Sequence, residues 1–92
     1  RQLCQEAGGR QVCAEKLLAN PTDSEARYLM GCCSAVSGDY ASALKEWFSI
    51  IEDDRNFRDG AAKDAMVSVF HLLGRQHPAV DDYPQRLYRT LY

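Results

Sequence analysis

Two apolar stripes of similar length, parted by Ser37-Gly38-Asp39-Tyr40, leave the middle of this chain few ways to fold. From Asn20 to Asp54 the sequence reads NPTDSEARYLMGCCSAVSGDYASALKEWFSIIEDD. Ala26, Leu29, Met30 and Cys33 recur at three- and four-residue steps before the break, and Ala43, Leu44, Trp47, Phe48, Ile50 and Ile51 do so after it. That spacing predicts two amphipathic helices, each one apolar face wide. Gly38 suits the left-handed residue that ends a helix, and Asp39 suits the cap of the next. The stretch is therefore expected to be a helix-turn-helix hairpin.

The order of small and large residues narrows this further. Gly31 mid-helix, Gly38 in the turn, Tyr40, the small Ala43 and then Trp47 resemble the spacing of a tetratricopeptide (TPR) repeat. Small residues at Gly31 and Ala43 would let two helix backbones approach, with Tyr40 and Trp47 filling the wedge between neighbouring hairpins. Asn20 precedes this hairpin as Asp54 follows it, and Leu17 matches Ile51, both at the 34-residue repeat period. An ordinary helical hairpin joined by Gly-Asp would share some of these features. The expected fold class is all-α, TPR-like antiparallel hairpins of about five helices with a capping helix at the end.

The flanks follow the same logic. Arg1 to Ala7 reads as the tail of a helix stopped by Gly8-Gly9, and Arg10 to Ala19 as a restart with Val12, Cys13, Leu17 and Leu18 inward; one bent helix is the alternative. Thr22 and Glu25 have capping-box spacing. After the hairpin, Phe57 is expected to tuck back, and Asp59 or Gly60 to begin a helix whose stripe is Ala62, Ala65, Met66, Val69, Phe70 and Leu73, ended by Gly74. Asp81 or Asp82 can cap a last helix, where Pro84 is tolerated in the first turn. Tyr83, Leu87, Tyr88 and Leu91 are expected on one side of it.

With 92 residues, 46% hydrophobic and 26% charged, the chain reads as one domain with a modest core. It opens mid-pattern without an initiator methionine, as an excised or processed piece of a longer protein would. A net charge of −2 without a basic cluster argues against nucleic acid as partner, and no apolar run approaches the roughly 20 residues that span a bilayer. The four cysteines, Cys4, Cys13, Cys32 and Cys33, lack metal spacing, and the adjacent pair resists bonding to itself. They are expected to be reduced apolar filler in a cytosolic setting; a redox-sensing thiol at Cys4 or Cys13 is the alternative. His71 and His77 sit at no metal or nucleophile-base spacing, and no phosphate loop or nucleophile elbow is present. No enzyme activity, cofactor or metal is expected.

Of the five tyrosines, Tyr83, Tyr88 and Tyr92 crowd into the last ten residues beside Arg86 and Arg89. Tyrosine and arginine are enriched at binding hot spots. The same helix can also act as a plain cap, with Leu87 and Leu91 inward and the tyrosines half-buried. A peptide clamp on concave repeat faces fits less well, because only one complete repeat is present.

The run DGAAKDAMVSVFHLLGRQHPAVDDYPQRLYRTLY resembles the C-terminal end of the bacterial thioredoxin-like proteins that carry a TPR region, the chaperedoxins. The likeness rests on the alanine-rich helix closing on Phe70-His71-Leu72-Leu73-Gly74, the turn with Pro78, and Tyr83, Arg86-Leu87-Tyr88 and Leu91-Tyr92; more loosely it covers Leu3 to Tyr92. The resemblance implies a holdase chaperone whose N-terminal thioredoxin fold would lie upstream and hold any redox site. It implies as partners unfolded or oxidation-damaged client proteins and the chaperonin, docked through Tyr83, Arg86, Leu87, Tyr88, Leu91 and Tyr92. Pro84 departs from the family, where that position is often basic. A structural cap or a self-associating homodimer is the competing expectation.

Overall fold

Five helices follow one another in the computed structural model, which describes residues 8–92: α1 (Gly9–Ala19), α2 (Ser24–Val36), α3 (Tyr40–Asp53), α4 (Ala61–Leu73) and α5 (Tyr83–Leu91), with a short 3-10 turn at Phe57–Asp59. The expected tail over Arg1 to Ala7, with Cys4, lies outside the described residues. Each helix packs on the one before it up to α4, and α5 returns to lie on α3. The fold is all-α among the described residues, as the stripes require.

The α2–α3 turn forms because both its ends are satisfied by backbone. Gly38 is left-handed at φ 86°, its amide donates to the Ala35 carbonyl at 3.0 Å, and the Asp39 amide reaches back to Ser34 at 2.8 Å. This is the paired closure that a left-handed residue after a helix permits. The Asp39 carboxylate then accepts from the Ser42 amide at 3.2 Å and the Ser42 hydroxyl at 2.7 Å. Those two bonds hold its carboxyl below the usual carboxylate range. Arg27 clasps the hairpin's open end, donating to the Pro21 carbonyl at 3.0 Å and to Asp53 at 2.9 Å.

Close approach is set at Gly31. A Cβ added there would lie inside the Trp47 indole, 2.8 Å from its Cδ1. Trp47 is only 3% exposed, and its ring N–H donates to the Tyr28 carbonyl at 3.2 Å. All six residues of the α3 stripe are buried, and Ala62, Met66 and Val69 of α4 complete the core with Leu87 of α5. Phe57 tucks back as expected, its ring 5.7 Å from that of Tyr28.

Four expectations need correction. The α2 cap is Asp23, not Thr22: its carboxylate accepts from the Ala26 amide at 3.1 Å, whereas Thr22 turns back onto Asn20 Oδ1 at 3.0 Å and Glu25 pairs with Arg58. The turn that follows Pro21 takes up the threonine and leaves the stronger acceptor at the helix start. Leu18 is 85% exposed rather than inward. Measured from the buried Cys13, Leu17 lies about 40° round the helix but Leu18 about 140°, and among the described helices α1 packs on α2. Neither Asp81 nor Asp82 caps α5 through its side chain: Asp81 is spent in a left-handed turn at φ 47°. Pro84 lacks one of the amides a cap would address, and the Asp82 carboxylate lies 3.8 Å from Arg86 instead.

The fourth correction concerns sulfur. Cys33, buried on α2, is disulfide-bonded, while Cys13 and Cys32 are free thiols. Spacing along the chain bears on metal sites and on neighbouring pairs, but it carries no information on which helix face meets a distant cysteine. Adjacent Cys32 and Cys33 indeed do not bond to each other.

Replacing Gly31 with alanine tests the close approach. Helix propensity alone would stabilise the chain by up to about 1 kcal/mol, but overlap with the indole costs about 1–3 kcal/mol. Chemical denaturation of Gly31→Ala is expected to show a net loss; a gain would mean that the two helices are not in contact there.

Candidate functional site

The tyrosine-bearing helix divides into an inner and an outer line. Tyr83, Leu87 and Leu91 fall at i, i+4 and i+8, and this line faces the core. Leu87 is 6% exposed, and Tyr83 and Leu91 are half-buried. The Tyr83 ring meets Phe48 edge-on, with centroids 5.7 Å apart. Arg86 lies over both rings, 4.7 Å from the Phe48 centroid and 4.9 Å from that of Tyr83. These contacts anchor α5 to α3. Arg55 adds a tie at the far end, donating to the Thr90 carbonyl at 2.6 Å.

Pro84, Tyr88 and Tyr92 form the outer line. Tyr88 is 67% and Tyr92 85% exposed, and their rings lean together with centroids 5.0 Å apart. The six residues expected to act as one contact set are thus brought onto one helix but not onto one face. Tyr88 and Tyr92 are presented to solvent, Leu91 stands at the edge, and Tyr83, Arg86 and Leu87 are engaged with the core. Consecutive helical residues point about 100° apart, which is why Leu87 and Tyr88 part company.

A cleft of about 530 Å³ opens between α4 and α5. Its α5 wall is Pro84, Leu87, Tyr88, Leu91 and Tyr92, and its α4 wall is Lys63, Val67, Phe70, His71, Gly74 and Arg75. Nothing in the sequence reasoning had assigned that second wall. The signal was present: Lys63, Val67, Phe70 and Gly74 fall at i, i+4, i+7 and i+11, a second face beside the buried line of Ala62, Met66 and Val69. A helix whose apolar arc is wider than one neighbour can cover has a further surface to offer.

The family model for the tetratricopeptide repeat matches residues 5–92. The chain belongs to the tetratricopeptide repeat family. Neither a curated protein nor a solved structure matches it. TPR domains generally mediate protein–protein interaction, and in this TPR chain the hairpin of α2 and α3 supplies the repeat on which α4 and α5 are stacked.

Burial pushes the thiols of both Cys13 and Cys32 up, which suppresses the thiolate that nucleophilic or redox chemistry uses. Among the described residues no group of three His, Cys, Asp or Glu could hold a metal ion, and no helix is long and apolar enough to cross a membrane.

The inner and outer lines of α5 predict opposite stabilities. Leu87→Ala is expected to cost about 2–5 kcal/mol, the range for buried leucines, whereas Tyr88→Ala and Tyr92→Ala should stay within about 0.5 kcal/mol of the parent. Urea titrations followed by circular dichroism read the difference. Equal losses at all three positions would contradict the division.

Proposed function

We propose that this TPR chain is a docking module whose partner seats on Tyr88 and Tyr92 and the cleft beside them. One observation carries the reading: two tyrosines stand in solvent at the mouth of an apolar cleft, on a helix that is separately fastened to the core by Leu87, Tyr83 and Arg86. Exposed aromatic anchors beside a concave apolar floor are what protein interfaces use for most of their binding energy. The module has no catalytic step of its own in this reading.

The finer form of the proposal follows the resemblance of the C-terminal run. The chain then serves as the TPR region of a thioredoxin-fold holdase, bringing unfolded or oxidation-damaged clients to the chaperonin, with α5 as the docking element. Its setting is cytoplasmic, where the disulfide at Cys33 would be a transient redox bond rather than a permanent staple. Capping by α5 accompanies this role rather than competing with it, since the buried Leu87 caps the stack while Tyr88 and Tyr92 remain free.

Co-sedimentation with purified chaperonin, in the presence and absence of a chemically unfolded client, tests both levels. The parent chain is expected to co-sediment, and Tyr88→Ala/Tyr92→Ala to bind at least tenfold more weakly with unchanged circular dichroism. Absence of binding by the parent to either species would overturn the chaperone assignment.

A further inference from the structure

The charge around the cleft is one-sided although the chain as a whole carries −2. Lys63, His71 and Arg75 border it, and no carboxylate does. The depression continuing from its Arg75 end is lined by Arg75, Arg89, Pro84, Gln85 and Tyr88, again without a carboxylate. The ion pairs among the described residues use Arg27, Arg58 and Arg86, so Arg75 and Arg89 have no acidic partner there. Both are exposed. At the opposite end a third depression sets Asp59 and Asp64 beside Arg55 and Lys63, so that charge is balanced there. The surface thus runs from a charge-balanced end, across an apolar floor, to two guanidinium groups without an acidic partner among the described residues at the other.

Resting on the reading of this cleft as a docking surface, we propose that its occupant is an acidic segment of a partner protein, held in one direction. An aliphatic or aromatic side chain of that segment enters between Val67, Phe70 and Tyr88. Carboxylates following it meet Arg75 and Arg89, which can take them as bidentate pairs. The reversed direction would bring the same carboxylates to the end where Asp59 and Asp64 offset Arg55 and Lys63, and so forgo that attraction. A second copy seated head to tail over this face would show instead as a concentration-dependent dimer in sedimentation that Arg75→Glu/Arg89→Glu dissociates, and that result would overturn the proposal.

Fluorescence anisotropy with labelled decapeptides tests this on the intact chain. The probes are one peptide with a Leu-Phe pair followed by Asp and Glu, the same peptide with Lys and Arg in place of the acids, and one with the acids placed before the Leu-Phe pair. The acidic-after-apolar peptide is expected to bind at least tenfold tighter than either control, with affinity falling as salt is raised. Arg75→Glu/Arg89→Glu should reduce it at least tenfold, and Arg75→Gln/Arg89→Gln by less. Peptides that bind alike, or charge variants that bind as the parent does, would overturn the proposal. So would a preference for phosphatidylserine vesicles over all three peptides. Chaperonin or client binding that survives Arg75→Glu/Arg89→Glu but not Tyr88→Ala/Tyr92→Ala would sink the acidic occupant alone; loss of neither would sink the docking surface itself.

Discussion

The indole of Trp47 rests in the space that Gly31 leaves by having no side chain, and the rest of the molecule is arranged around that contact. Any larger residue at position 31 would force α2 and α3 apart, and the ring N–H would lose the Tyr28 carbonyl it now reaches at 3.2 Å. A buried indole N–H without an acceptor costs roughly 1–3 kcal/mol, so the hydrogen bond and the close packing stand or fall together. With the indole turned toward α2, the same helix presents Phe48, Ile51 and their neighbours to the elements that follow. The order of stacking is therefore decided inside the first hairpin.

From there the consequences pass outward to α5. Phe48 is the surface on which Tyr83 and Arg86 settle, and Leu87 closes the core beneath them. Because Tyr83, Arg86, Leu87 and Leu91 hold this nine-residue helix from its core-facing side, its other side is released from structural duty. Tyr88 and Tyr92 occupy that side. Their exposure has a low energetic cost in isolation, but it places aromatic area beside an apolar cleft in a chain that belongs to an interaction family.

Much of this was legible in the residues. The α3 stripe is buried at each position its spacing indicated, Gly38 and Asp39 close and reopen the helices, and the small-against-bulky order of Gly31 and Trp47 is the contact that matters. What escaped were features set by three-dimensional neighbours. Periodicity cannot say that Leu18 is left exposed, nor that Val80, in the loop before α5, is fully buried. Capping spacing marked Thr22, but the turn after Pro21 redirected it and left the role to Asp23. The family resemblance placed Tyr88 and Leu87 in one contact set, although helical geometry points them in different directions. The α4 wall of the cleft was hidden because Phe70 read as part of the core stripe and Val67 fell outside it, and no local pattern marks Cys33 as the bonded cysteine.

The chain's single tryptophan makes the central contact directly measurable. Fluorescence of the folded protein should show Trp47 emission shifted to the blue of the denatured chain and weakly quenched by acrylamide, both changing together with helix content as denaturant is added. Emission and quenching in the native protein that match those of the unfolded chain would place the indole in water and contradict the account.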